Sequence, residues 1–486
     1  MKKIIIAIAI TLISVSAILL INTLRFSSQQ TGFPEQPRET IEEKGAVARL
    51  ATAIRFQTIS IYDNPGANAE EFAGLRQHIA ISFPLLNSRL EKVDLGEFTS
   101  LYCLQGRSST RKPVLLLAHL DVVGVDSATE GMWLHPPFSG DNDGNYIWGR
   151  GTWDDKSSAF AIMEAVEHLL ESNFQPDRTI YIALGPDEEI GGTKGARRTF
   201  EFLKSHGVHL EYVLDEGQVL TEGILPGIKK PVALIGIAEK GYMSATLRVQ
   251  LPAGGHSSMP PAESAIGILG AGISRLEKEQ FPNRLQGIPL SMLEYLAPEA
   301  EMPFRAIMSN LWLFGPFVEA SLSKARSTEA LLHTTTAATE FSSGFKDNVL
   351  PSRATASVNF RIQQGETSNS VLDRITRILD DSRIELEKPA IVFEPSRVSE
   401  INSEGFRTVQ RSIHEVFGDV VTAPALVTAH TDSVWFEPIA DNVYRFLPMR
   451  AERDDIPRFH GINEPISILN YVNAIQFYLR FLRNVD

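Results

Sequence analysis

A chain of 486 residues with 43% apolar side chains is long enough to bury a large core in more than one domain, which excludes disorder as its default state. Its 59 acidic against 46 basic side chains exclude the basic surface that a nucleic-acid partner needs, and suit cation binding. A single cysteine, Cys103, excludes an intramolecular disulfide and any cysteine-based zinc site.

After Lys2 and Lys3, the uncharged apolar run from Ile4 to Ile21 has the length of a bilayer-spanning helix. It is longer and more uniform than the apolar part of an ordinary signal peptide, so an uncleaved anchor is expected over residues 1–26. The two lysines then stay cytoplasmic and the rest of the chain lies on the other side, although Arg25 on the far flank weakens the asymmetry. A cleaved signal with its site at Val15-Ser16-Ala17 is the second reading. The polar stretch 27–45, with its Gln, Pro and Glu, reads as a linker.

From Ala46 the pattern is helical, and then Pro113 to Ala118 forms an apolar run of buried-strand character that ends in His119-Leu120-Asp121. An imidazole and a carboxylate two residues apart at a strand end point the same way, which suits a metal-ligating His119 steadied by Asp121, or a plain hydrogen-bonded pair. Gly149-Arg150-Gly151 allows a tight turn before Asp154 and Asp155, which precede an amphipathic helix over Ser157 to Ser172. Acids at a helix start are ordinarily caps, but a cap needs only one of the two.

A second apolar run, Thr179 to Leu184, stops at Asp187-Glu188-Glu189. Three adjacent carboxylates repel one another, and a fold keeps them together only where a cation, a proton or solvent relieves the repulsion. Alone, this patch reads as a solvated turn. Its place after a strand-helix-strand order puts it instead at the carboxyl edge of a parallel sheet, where such sheets bind ligands. Tyr212-Val213-Leu214 repeats the pattern and ends in Asp215-Glu216-Gly217.

Between Lys240 and Glu394 the strands Met243 to Leu251 and Ala354 to Gln363 alternate with helices Ser264 to Gln280 and Ser368 to Asp381, an α+β insert of the split βαβ kind. His256, between two glycines and two serines, lies in it. The strand Ala423 to Thr428 returns to the α/β pattern and runs into His430-Thr431-Asp432. Near the end, His460-Gly461-Ile462-Asn463-Glu464 precedes Pro465, placed to open an apolar helix from Ile466 to Leu482. The plan is one discontinuous α/β domain with a mainly parallel sheet flanked by helices, residues 46–239 and 395–486, carrying the α+β insert, residues 240–394.

His119, Asp154, Glu189, Asp215 and His460 are ligand-type residues at loop positions, and imidazoles mixed with carboxylates suit Zn²⁺, with Co²⁺ or Mn²⁺ as alternatives. A carboxylate shared between ions roughly 3.5–4 Å apart makes a two-metal hydrolytic site. Such a site needs a base, and Glu188 beside a ligand fits it.

In combination these motifs are specific, and after the linker the sequence resembles the M20 family of co-catalytic metallopeptidases, in particular its carboxypeptidase S and N-acyl amino acid hydrolase branch. The resemblance implies that Asp154 bridges two metals, with His119 and Asp215 completing one site and Glu189 and His460 the other. It makes Glu188 the base that takes a proton from metal-bridged water, and Asp121 the residue that steadies His119. It implies that the insert is a lid on the catalytic domain and that its His256 stabilises the oxyanion, worth about 3 kcal/mol where such donors have been removed. Asn348 and Arg361 then contact substrate, Arg361 pairing with its carboxylate. The expected reaction is cleavage of a peptide bond next to a free carboxylate, as in a carboxypeptidase or dipeptidase. An N-acyl, even N-fatty-acyl, amino acid amidohydrolase is the alternative, and a non-catalytic binding protein on the same fold a third reading. Relatives often pair through the lid, so a homodimer is expected there. The sequence departs from the family where Thr431-Asp432-Ser433 runs into Val434-Trp435-Phe436, which bears on substrate preference.

Overall fold

The computed structural model describes residues 2–485, with 63, 65 and 390 left aside. Helix α1 (Lys2–Arg25) is the one described helix long and apolar enough to cross a membrane, and no residue of its apolar run is buried. The segment expected as a linker has no regular structure as far as Glu42, yet it is strapped to the domain. Gln30 exchanges hydrogen bonds with Thr422, Thr31 Oγ1 donates to Gln410, and Arg38 Nη2 donates to Asn473. Helix α2 (Glu43–Ile54) follows, its first turn capped by Glu42, whose carboxylate accepts from Gly45 N.

The central sheet contains β1 (Glu91–Asp94), β2 (Ser100–Leu104), β3 (Val114–His119), β4 (Ile180–Gly185), β5 (Leu210–Thr221) and β6 (Val232–Glu239). After the lid, β11 (Val421–Val427) and β12 (Ala440–Ala451) complete it, and the order across the eight strands is β1-β2-β4-β3-β5-β12-β6-β11. β3 runs parallel to β4 and β5, β5 to β12, and β6 to β11, with antiparallel pairs at β1–β2–β4 and between β12 and β6. A strand covered on both faces has no polar side, which is why Val114 to Ala118 is a continuous apolar run. Helix α3 (Lys156–Glu171), together with two helices near the carboxyl end (Glu404–Phe417 and Ile468–Asn484), covers one face. Helix Ala196–Ser205 covers part of the other. Pro465 does not open the last helix. It lies in a short strand, Pro465–Ser467, paired with Tyr146–Trp148, and Ser467 caps the helix by accepting from Asn470 N.

The lid sheet contains β7 (Gly241–Gln250), β8 (Thr335–Ser343), β9 (Arg353–Ile362) and β10 (Ile384–Glu387), in the order β8-β9-β7-β10. With α4 (Ala265–Lys278) after β7 and a helix at Ser368–Leu379 after β9, this is the split βαβ arrangement. Burial alternates strictly along β7 and β9, and one face packs on the two helices. Helices α5 (Ile288–Leu296), α6 (Phe304–Met308) and α7 (Leu311–Leu322) lie within the expected lid boundaries but do not join its core. They pack on Val232, Val421 and Ala423 at the outer edge of the large sheet, where β11 has one side uncovered by any other strand. The chain enters the lid at Glu239–Gly241 and leaves it at Ser396, and the two crossings are tied by Glu239 N donating to Ser396 Oγ (2.7 Å) and Ser396 N to Glu239 O (3.1 Å).

Candidate active site

Three strand ends, a turn and a loop deliver the site. β3 ends in His119, which is 1% exposed, with Asp121 two residues on and fully buried. The two do more than face each other. His119 Nδ1 lies 3.0 Å from Asp121 O and 3.3 Å from its Oδ1, while the Asp121 carboxylate accepts from Glu188 N (3.0 Å), Glu189 N (3.1 Å) and Ser60 Oγ (2.6 Å). One buried carboxylate therefore fixes the histidine and the backbone of the acidic turn after β4.

Asp154 is brought in by a clamp. Glu464, 0% exposed, accepts from Gly151 N (3.0 Å), Trp153 N (2.9 Å) and Arg150 Nη1 (2.5 Å), and Arg150 Nη2 reaches His460 O (3.2 Å) and Gly461 O (2.8 Å). The turn carrying Asp154 and the loop carrying His460 are thereby one unit. Gly149 is required in it: its φ is +143°, and a Cβ would sit 2.4 Å from Ile54 and 2.8 Å from Pro137 O. His460 itself takes a left-handed φ of +56°, a conformation that costs a non-glycine residue about 1–3 kcal/mol and is held here by the clamp. Asp155 occupies the N-cap position of α3 without a side-chain capping bond; its Oδ2 instead accepts from His119 N (3.3 Å).

Asp154 stands between the two histidines. Its Oδ1 is 2.9 Å from His119 Nε2 and its Oδ2 2.8 Å from His460 Nε2. Glu189 Oε1 lies 3.4 Å from His460 Nε2 and is buried without a hydrogen-bond partner. The ligand-type atoms of Asp154, Glu189 and His460 fall within 4.8 Å of one another, as do those of His119, Asp154 and Glu216. Glu188 stands beside them, grouped with His119 and Glu189.

The second of these groups holds Glu216 at the place where the sequence reading expects Asp215. Asp215 turns away: Oδ1 accepts from Glu216 N (3.0 Å) and Oδ2 from Ser433 N (2.9 Å). Glu216 Oε1 lies 3.2 Å from His119 Nε2. The cause is a bulge in β5. Asp215 pairs with Arg445 of β12, but the next pair is Gln218 with Phe446, so Glu216 and Gly217 are extra residues that bend the strand locally. Gly217 makes the bulge possible with φ +142°, where a Cβ would meet the Arg445 Cβ at 2.9 Å. A strand end followed by Asp-Glu-Gly is a legible signal for a bulge; which acid it presents is not.

The electrostatics describe a site short of positive charge. Burial, and then the charge of Asp154, push Glu216 up to about 8, and burial raises Glu188 well above the usual carboxylate range. The hydrogen bond to Asp154, and the Glu189 carboxylate beside it, push His460 up to about 10. Burial works against protonation of His119, yet the charge of Glu216 and the hydrogen bonds to Asp121 and Asp154 raise it. Crowded carboxylates with an unpartnered buried oxygen and two imidazoles are a donor set that fits divalent cations.

Arg361 from β9 and Tyr242 from β7 close the cleft from the lid side, with the guanidinium 4.9 Å from the ring centroid. The cleft has a volume of about 730 Å³. His430 and Thr431 also line it, and neither ring nitrogen of His430 has a hydrogen-bond partner. His256 and Asn348 are not brought here. They sit together on an exposed two-stranded ribbon of the lid in which Gly255–His256 pairs with Val349–Leu350, and His256 Nδ1 lies 2.8 Å from Ser258 Oγ.

Residues 115–484 match the model of peptidase family M20/M25/M40. The chain is 38% identical over 485 residues to a probable carboxypeptidase S-like 2 of Dictyostelium discoideum, covering 98% of this chain and 93% of the relative. It is 41% identical over 450 residues to an N-fatty-acyl-amino acid synthase/hydrolase of Xenopus tropicalis, covering 92% and 86%. Among solved structures, an M20 family metallo-carboxypeptidase of Sulfolobus solfataricus superposes with a TM-score of 0.65 at 20% identity, over 91% of this chain and 99% of that one, which speaks to the fold. With that fold and that extent of identity, the chain belongs to peptidase family M20 and is a metal-dependent hydrolase of amide bonds.

Proposed function

We propose that this chain hydrolyses the amide between an apolar acyl group and an amino acid that carries a free carboxylate. The lining of the cleft carries this reading. Arg361 is its one arginine or lysine among the described residues, and its acids, Asp154, Glu188, Glu189 and Glu216, all belong to the ligand-type groups. Among the described residues that line the cleft, no carboxylate is left over for the free α-ammonium of a dipeptide, whereas Ile190, Ile391, Phe393, Val427 and Leu447 offer an apolar wall to an acyl chain. The activity named for the Xenopus relative supports the same substrate class. A carboxypeptidase removing the last residue of a longer peptide is the second reading, favoured by the Dictyostelium relative's name and by the same arginine.

Two divalent ions, zinc being the expected metal with cobalt or manganese as alternatives, would be held by His119, Asp154 and Glu216 and by Asp154, Glu189 and His460. Bound there, such ions polarise a carbonyl and acidify water. Glu188 takes the proton of the attacking water and returns it to the leaving nitrogen. Asp121 holds His119 and the Glu188–Glu189 backbone in register, so the base keeps its place as charge moves. Arg361, flanked by Tyr242, receives the substrate carboxylate through charge-assisted hydrogen bonds.

His256 and Asn348 enter the reaction through a second copy, in which the lid ribbon reaches the neighbouring cleft and His256 donates to the oxyanion. The open edge of β8, with Phe341 47% exposed, supports pairing through the lid. Helix α1 anchors the chain with the catalytic part on the non-cytoplasmic side, as Lys2 and Lys3 at its start support.

The test is turnover by the full chain of an N-fatty-acyl amino acid, a blocked dipeptide and a free dipeptide, before and after chelation. Loss of hydrolysis on chelation, recovery with zinc, and preference for the acyl substrate are expected. Activity that survives metal stripping, or preference for the free dipeptide, overturns the reading.

A further inference from the structure

Helix α7 is apolar on both faces. Leu311, Phe314, Val318 and Leu322 pack into the cluster on β11, and on the opposite side Trp312, Leu313 and Phe317 are 57%, 43% and 62% exposed, with Pro316 and Ala320 exposed between and beyond them. Its single charge, Glu319, is turned back to accept from Leu285 N (3.2 Å). A helix apolar all round is ordinarily buried all round.

What lies next to it says what covers it. Asn310, 0% exposed at the start of α7, donates from Nδ2 to Leu19 O and to Thr23 Oγ1 of α1, both at 3.2 Å, and its Oδ1 accepts from Asn22 Nδ2 (3.0 Å) and Trp312 Nε1 (3.2 Å). Arg305 Nη2 donates to Phe26 O (3.3 Å). At about 1.5 Å per residue, the run from Ile4 to Ile21 is about as long as a bilayer's hydrocarbon core is thick, roughly 30 Å. The contacts at Leu19 to Thr23 therefore tie α7 to the level where that core ends on the catalytic side. Aromatic side chains collect at this level, and Lys324 and Arg326, both exposed just beyond α7, suit the headgroups.

We infer that α7 is an interfacial membrane helix: its Trp312–Leu313–Phe317 face seats in the leaflet on the catalytic side, so that the domain is held to the bilayer at two points and not by α1 alone. This rests on reading α1 as a retained anchor. Continuity with an exposed spanning helix favours lipid over a second copy of the chain as the occupant.

The experiment uses the full chain in phosphatidylcholine vesicles, with an environment-sensitive fluorophore on Leu12→Cys or on Phe317→Cys; Cys103 is buried and does not compete for label. Spin-labelled lipids quench whichever position contacts lipid. Quenching and a blue shift at both positions are expected. Quenching at Leu12→Cys alone overturns the interfacial helix and leaves the anchor standing. Quenching at neither removes the anchor reading, and the inference with it. A blue shift at Phe317→Cys that is already present in detergent, accompanies a doubled mass and is indifferent to spin-labelled lipid overturns it in favour of a second copy.

Discussion

Replacing Glu239 by Gln strands a charge at the hinge of the lid. Arg445 is 0% exposed, and its Nε lies 3.0 Å from Glu239 Oε2; the next acid, Glu437, is 3.7 Å from Nη2. Removing one member of a buried ion pair costs about 3–5 kcal/mol, because the other charge stays where water cannot reach it. Glu239 Oε2 also accepts from Thr431 N and Oγ1, both at 3.2 Å, so the loss falls at about 4 kcal/mol, a large part of a typical stability of about 5–15 kcal/mol. Adding Arg445→Met takes the stranded charge away, and the double variant recovers at least about 2 kcal/mol of the sum of the single losses.

Urea-induced unfolding followed by circular dichroism measures the cycle, and pH checks its cause. Full burial pushes the Glu239 carboxyl up, but the Arg445 charge, the His430 imidazole 3.5 Å away and the hydrogen bonds from Thr431 together hold it below its ordinary value of 4.5. A carboxyl lowered in the folded state stabilises fully above 4.5, and that stability is lost as pH falls through its folded value. The gap between the wild-type protein and Glu239→Gln therefore narrows in acid. Single losses that add within about 0.5 kcal/mol, or a gap that widens as pH falls, refute the reasoning.

Glu188→Gln is expected to lower kcat by at least about 100-fold while metal content and KM stay near wild type, as kinetics with elemental analysis on the same sample will read. Glu216→Gln loses one of two bound ions per chain and Asp215→Asn keeps both; the reverse result in a metal titration would return the ligand role to Asp215. Arg361→Met raises KM for a carboxylate-bearing substrate by about 10-fold or more, and changes little for the same substrate amidated at that carboxylate, since a charge-assisted hydrogen bond is worth about 1.5–3 kcal/mol.

The sequence by itself determined the sheet, the lid topology and most of the candidate site. A strand buried on both faces must be apolar throughout, so the places where Val114–Ala118 and Thr179–Leu184 give way to His119 and to Asp187-Glu188-Glu189 mark the carboxyl edge without reference to any neighbour. Tertiary structure alone decided what depends on register and on partners far along the chain. A two-residue bulge in β5, visible only against β12, turns Asp215 to Ser433 and Glu216 to His119. The apolar helices at 288–322 lie between lid elements in sequence but pack on the large sheet, because β11 leaves an edge to cover. Likewise the polar stretch before α2 reads as a spacer, and becomes a strap only because Thr422, Gln410 and Asn473 meet it. Apolar periodicity records which side of a segment is buried; it does not record against what.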